Sequence, residues 1–130
     1  MNQRLITLLI NSFGEIFMKG ITVTIPLTFI SFTLALIIAL LTAIVQIANI
    51  KGLKQVARLY VWIIRGTPLL VQLFVIFYGL PNLHITMNAF PAAILVFSLN
   101  TGAYASETIR AAIEAVPVGQ SEAGECVGMN

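Results

Sequence analysis

Charged side chains are scarce in this chain. Asp, Glu, Lys and Arg make up 9% of the sequence, whereas 58% of the residues are hydrophobic. A soluble domain carries about a quarter charged residues, because water has to solvate its surface. The composition therefore excludes an ordinary soluble domain and predicts that lipid covers much of the chain.

The side chains that build metal sites and catalytic centres are also few. The single cysteine, Cys126, excludes an internal disulfide, and the single histidine, His84, has no second histidine or cysteine at ligand spacing. The sequence contains no Gly-x-x-x-x-Gly-Lys-Ser/Thr loop for nucleotide phosphates, and no nucleophile stands beside a base. We therefore interpret the chain as a non-enzyme with no metal site and no cofactor of its own. Its net charge of +2 is too small to indicate nucleic acid as a partner.

Three long apolar runs predict an all-α, polytopic transmembrane protein, with a single domain over residues 1–130. Each run has enough residues to cross a hydrocarbon core about 30 Å thick. The predicted spans are residues 20–48, 58–80 and 89–113. Pro26 predicts a kink in the first span, because proline lacks an N–H group. The sequence Arg65-Gly66-Thr67-Pro68 predicts a sharp bend in the second, because a residue before proline avoids helical geometry.

The basic residues predict the orientation of these spans. Lys51, Lys54, Arg58 and Arg65 follow the first apolar run with no acidic residue among them. Short loops rich in Lys and Arg remain in the cytoplasm. The prediction is an N-terminus outside the membrane and a cytoplasmic segment after the third span.

Polar residues recur along one face of the third span. Together with Ala111 they are spaced by four, three, four and three: Asn100, Tyr104, Glu107, Ala111 and Glu114. Such a stripe should face the bundle interior or a water-filled path, because a charge that faces lipid costs several kcal/mol. We predict a substrate path that contains Asn100, Tyr104 and Glu107, together with Gln72 from the second span. The alternative is a structural role, in which Arg110 pairs with Glu107 or Glu114 and Gln72 makes an interhelical hydrogen bond.

Four short stretches resemble one family of membrane proteins. They are Arg65-Gly-Thr-Pro-Leu-Leu-Val-Gln72, Gly102-Ala-Tyr104 with Glu107 and Arg110, Pro117 with Gly119-Gln120, and Glu122-Ala123 with Gly128-Met129. Together they resemble the permeases of ATP-binding-cassette (ABC) importers for polar amino acids. In that family a Glu-Ala-Ala-x-x-x-Gly motif forms a short cytoplasmic coupling helix that docks on the ATPase. Here Gly124 stands where the motif has alanine.

The resemblance implies a coupling segment at residues 119–130. The residues expected to take part in coupling are Gly119, Gln120, Glu122, Ala123, Gly124 and Gly128. Gly128 would let the helix or its turn approach another surface closely, because glycine has no side chain.

The resemblance also implies a transporter subunit of the bacterial plasma (inner) membrane that forms part of a translocation path. The expected partners are ABC ATPase subunits that hold ATP and Mg, a second permease copy or a sister permease, an extracytoplasmic amino-acid-binding protein and membrane lipid. The sequence leaves open which amino acid is carried and whether the dimer is a homodimer. Because only three of an expected five spans are present, the alternative is a truncated membrane protein without transport activity.

Overall fold

The computed structural model of the protein describes residues 3–129, with side chains for all of these except residues 3–6 and 9–11. Within this range every regular element is helical, which confirms the all-α prediction. The α-helices are α1 (Gln3–Lys19), α2 (Ile25–Ile47), α3 (Leu53–Gly66), α4 (Leu69–Phe74), α5 (Ala89–Glu114) and α6 (Val118–Cys126). π-helical turns occupy Gly20–Thr24 and Val75–Gly79, and a 3-10 turn occupies Leu80–Leu83.

The first apolar helix is longer than the predicted span. The stretch Ser12–Ile47 has 36 residues and is apolar enough to cross a membrane. It passes through the π-helical turn Gly20–Thr24 directly into α2, whose first turn contains Pro26. Proline lacks the N–H of the α-helical ladder, and its ring clashes with the carbonyl four residues earlier. The expected irregularity at Pro26 is therefore a widened π-helical turn before the proline.

Helices α2 and α5 form the core through small side chains. The buried face of α2 consists of Ser31, Ala35, Ala39, Ala43 and Gln46. The buried face of α5 consists of Ala92, Val96, Ser98, Gly102, Ala103 and Ser106. At Gly102 a Cβ atom would lie 2.9 Å from Ile38 Cγ2 and 3.3 Å from the Ala35 carbonyl oxygen. The two backbones therefore approach each other closely, as small residues allow in membrane helices.

The second predicted span is sharply broken. The axis of α3 and that of the helical stretch Leu69–Leu83 differ by 104°. Thr67 and Pro68 have extended backbones between them, so Thr67 ends α3 and Pro68 precedes the first turn of α4. The described residues thus contain two helices that are long and apolar enough to cross a membrane, or three if this bent pair is one span. The polytopic prediction is confirmed, whereas residues 58–80 do not form one straight helix.

Helix α6 stands apart from the bundle. Only Ala115, Val116 and Pro117 separate it from α5, and the extended backbone of Pro117 sets its new direction. Among the described residues, α6 packs against none of the other helices. It contains most of the predicted coupling segment 119–130, of which Asn130 lies outside the described residues.

Candidate functional site

Glu107 joins three helices at one end of the bundle. Its Oε1 accepts a hydrogen bond of 3.3 Å from Gln46 Nε2 on α2. Its Oε2 lies 2.8 Å from Arg110 Nη2 on its own helix and 3.9 Å from Arg65 Nη1 on α3. Because helices α2, α3 and α5 each contribute a partner, a change in their relative positions has to change this cluster.

The arginines of the cluster have further partners. Arg110 Nη1 lies 2.6 Å from Glu114 Oε2, so Arg110 pairs with both carboxylates that its spacing made available. The guanidinium carbon of Arg65 lies 5.2 Å from the centre of the Tyr104 ring. A guanidinium over an aromatic face is attracted by the ring quadrupole, and this contact orients Arg65 toward α5.

These residues line an open cavity of about 630 Å³ between α2, α3 and α5. Its lining residues are Gln46, Arg58, Val61, Trp62, Arg65, Gly66, Tyr104, Glu107 and Arg110. Two residues of the predicted path, Tyr104 and Glu107, therefore share a cavity with arginines that offer the opposite charge. A zwitterionic or anionic group could be held in such a cavity, because it presents both a carboxylate and guanidinium groups.

The other two predicted path residues meet at the helix break. Gln72 Nε2 donates to the carbonyl oxygens of Ile64, at 2.8 Å, and Thr67, at 3.0 Å. Asn100 Nδ2 donates to Gln72 Oε1 at 3.2 Å, which connects α4 with α5. Carbonyl groups at the end of a helix have no backbone partner within it, so Gln72 and the Thr67 hydroxyl supply donors to the end of α3. Gln72 also lines a second, mainly apolar cavity of about 250 Å³.

The structure therefore groups the predicted path residues as two pairs. Tyr104 and Glu107 line the charged cavity, whereas Asn100 and Gln72 bind each other beside the bend. The interhelical hydrogen bond considered for Gln72 is present. A ligand that reached Gln72 and Asn100 would have to displace these bonds.

Sequence reasoning missed two residues that link the helices. Gln46 was available as a signal, because it is the one amide in the apolar stretch of α2 and follows the buried stripe at helical spacing. Tyr60 donates its hydroxyl proton to the Leu99 carbonyl oxygen at 2.6 Å, which ties α3 to α5. No sequence pattern identifies this bond, because the partner of Tyr60 is a backbone atom of another helix.

The turn after α6 has a defined geometry. The amide of Gly128 donates to the Glu125 carbonyl oxygen and that of Met129 to the Gly124 carbonyl oxygen, each at 3.0 Å. These two bonds form a Schellman motif, whose glycine adopts a left-handed backbone. Gly128 has a φ of +81°, so its lack of a side chain is required by the turn itself as well as by any close approach.

The expected coupling residues lie on this helix and its turn. Gly119, Gln120, Glu122, Ala123 and Gly128 are exposed, and Gly124 is half-buried beside Met129. The sole cysteine, Cys126, is free and exposed on the same helix. The described residues contain no group of three or more His, Cys, Asp or Glu side chains that could hold a metal ion.

Curated proteins with related sequences are permeases. The chain is 53% identical over 118 residues to the L-cystine transport system permease protein TcyB of Bacillus subtilis (strain 168), covering 91% of this chain and 50% of that protein. It is 42% identical over 112 residues to the putative glutamine transport system permease protein GlnP of Rickettsia prowazekii (strain Madrid E), covering 85% of this chain and 51% of that protein. The chain thus spans about half the length of the curated relatives it matches.

A solved structure shares this fold. It is described as the crystal structure of an amino acid ABC transporter with histidines, and it matches with a TM-score of 0.83 at 39% identity, over 95% of this chain and 57% of that one. Residues 35–130 match the family described as binding-protein-dependent transport system inner membrane component. These findings confirm the resemblance carried by the sequence motifs, and the chain belongs to this family of inner membrane transport components.

Proposed function

We propose that this chain forms part of the translocation path of an ATP-driven importer for polar amino acids and docks through α6 on a separate ATPase. The observation that carries the proposal is α6, an exposed helix that follows a membrane span directly and packs against no other described helix. The relatives named above transport, by their names, cystine and glutamine, which are both polar amino acids. Hydrolysis of ATP, with its Mg, is assigned to the partner.

The surface of α6 supports a docking role. Val118 at its start and Val127 at its end are 73% and 77% exposed, and Met129 beyond the turn is exposed as well. A protein partner would remove these apolar side chains from water. Glu122 and Glu125 supply exposed charges between them.

The charge distribution supports the orientation. The end of the bundle at which α2 ends and α3 begins carries Lys51, Lys54 and Arg58, and the cavity cluster adds Arg65 and Arg110. Because loops rich in Lys and Arg remain in the cytoplasm, this end and α6 are cytoplasmic, and the N-terminus is outside. The extracytoplasmic binding protein then approaches the opposite end, and a second permease copy or a sister permease completes the path.

The cavity supports a place for the substrate. A free amino acid carries an ammonium and a carboxylate group, and Glu107 and Arg65 offer one complementary charge each. Tyr104 lies between the cavity and Asn100, one helical turn away, so the path would continue toward Asn100 and Gln72. In this proposal, movement of α4 against α5 opens the Asn100–Gln72 contact to the substrate.

The coupling role is tested with glycine variants in the assembled importer, reconstituted in vesicles at matched protein levels. Gly128→Val should leave membrane insertion intact and lower both uptake and substrate-stimulated ATP hydrolysis. The matched control is Gly52→Val, because Gly52 also has a positive φ, of +89°, with open space around it, but lies outside α6. Gly128→Asn should be milder, because asparagine tolerates the left-handed region. Normal uptake and normal ATP hydrolysis in Gly128→Val would contradict the coupling role.

A further inference from the structure

We propose that the cavity between α3 and α5 binds the phosphate of an anionic phospholipid. Three arginines line it, Arg58, Arg65 and Arg110, against one lining carboxylate, Glu107. Because Glu114 also pairs with Arg110, three positive charges face two negative charges, and the cavity keeps an excess of one positive charge. The inference rests on the proposed function, which places this end of the bundle at the cytoplasmic leaflet and places the substrate in the same cavity; a lipid phosphate at Arg58 and Arg65 therefore competes with the substrate for Arg65.

The three arginines are not equally available to a ligand. Arg110 is already neutralised by Glu107 and Glu114, at 2.8 and 2.6 Å. Arg65 is more distant from Glu107, at 3.9 Å, and its side chain remains 44% exposed. Arg58 forms no ion pair with any described carboxylate. Arg58 and Arg65 are seven residues apart, or two helical turns, so they lie on the same face of α3, and both line the cavity.

The surroundings of the cavity indicate a lipid as the source of this oxyanion. Val56, Leu59 and Ile63 are exposed along the adjacent face of α3, and Trp62, at the cavity, is 75% exposed. A helix with one basic edge and one apolar face lies in the membrane interface, and tryptophan favours the level of the head groups. The phosphate would enter the cavity while the acyl chains cover the apolar face. Basic pockets between membrane helices on the cytoplasmic side bind acidic head groups in this way.

Trp62 provides the measurement, because it is the only tryptophan in the chain and it lines the cavity. The full chain is reconstituted in bilayers of phosphatidylcholine and phosphatidylglycerol, with one or the other lipid dibrominated in its acyl chains. Quenching of Trp62 fluorescence then reports which lipid occupies the site. Brominated phosphatidylglycerol should quench Trp62 fluorescence more strongly than brominated phosphatidylcholine at equal mole fraction.

Three variants test the role of Arg58. Arg58→Gln should lower the preference for phosphatidylglycerol about fivefold, because the phosphate loses a direct hydrogen bond from a guanidinium group. Arg58→Lys should retain most of the preference, which also shows that the site tolerates substitution. The matched control is Lys51→Gln, which removes the same charge from the neighbouring loop and should change the preference little. Circular dichroism confirms that each variant retains its helix content.

Other results would overturn the proposal. Equal quenching by the two brominated lipids would show that the site has no preference for phosphatidylglycerol. If Arg58→Gln and Lys51→Gln lower the preference equally, the preference is a general effect of surface charge. Glycerol phosphate in solution should not reverse the quenching. If it does so in an Arg58-dependent manner, the site binds a free anion and not a lipid. None of these readouts depends on transport, so a failure of the proposed importer function would leave the lipid preference measurable.

Discussion

The close approach of α2 and α5 at Gly102 predicts that this glycine cannot become alanine without loss of stability. The added Cβ would lie 2.9 Å from Ile38 Cγ2, 3.1 Å from Ile38 Cβ and 3.3 Å from the Ala35 carbonyl oxygen. The first contact involves a side chain that can shift, but the last involves a backbone atom buried in the core. Relief therefore requires that the two helices separate by a few tenths of an ångström.

Two effects of opposite sign decide the magnitude. Alanine is favoured over glycine inside a helix by about 1 kcal/mol. Overpacking of a close contact costs about 1–3 kcal/mol. We therefore expect Gly102→Ala to lower the free energy of unfolding by roughly 1 kcal/mol, despite the gain in helix propensity.

The free energy of unfolding can be measured by titration of the detergent-solubilised chain with SDS, followed by Trp62 fluorescence. Gly14→Ala is the matched control, because Gly14 is also inside a helix and an added Cβ would meet nothing within 4 Å. Gly14→Ala should be neutral or stabilising. The cost of Gly102→Ala should fall in an Ile38→Ala background, which removes the nearest atom. If Gly102→Ala stabilises the chain as much as Gly14→Ala, the close packing of α2 and α5 is refuted.

Two further predictions concern charge and orientation. Arg110→Ala alone should reduce the amount of protein in the membrane more than Arg110→Ala combined with Glu107→Ala, because the single change leaves the Glu107 carboxylate without its nearest cation. If the double variant is no milder than the worse single variant, Glu107 and Arg110 do not act as a pair. The orientation can be tested by labelling single cysteines on intact cells, after Cys126 is replaced by serine. His84→Cys should react with an impermeant thiol reagent, whereas Lys51→Cys should not. The reverse labelling would refute the proposed orientation.

Local features of this fold could be predicted from the sequence. The spacing of Glu107, Arg110 and Glu114 brings them together within one helix, whatever surrounds it. The break before Pro68 follows from the restricted backbone of the residue before a proline. The ion pairs and the helix break each depend on residues that are close in sequence, so the sequence alone predicts them.

Contacts between helices could not be predicted in the same way. Gln46 reaches Glu107 across 61 positions of sequence, and this contact depends on how far α2 slides along α5. The periodicity of one helix does not contain that register. The 104° angle at the bend has the same origin, because the bonds of Gln72 to Ile64 and Thr67 and its contact with Asn100 hold it in place. The positive φ of Gly128 depends on hydrogen bonds of the turn, whereas the motif indicated only a small residue.

The docking of α6 on an ATPase is the central claim, and Cys126 allows a direct test. It is the only cysteine of the chain, and it is exposed on α6. A thiol-linked photo-crosslinker can be attached to Cys126 of the permease before the ATPase and the binding protein are added in vesicles. A cysteine at position 84, made by His84→Cys with Cys126→Ser, serves as the control at the opposite end. Illumination should join Cys126 to the ATPase and position 84 to other partners only. Adducts of Cys126 with the extracytoplasmic binding protein, or with lipid alone, would contradict the account.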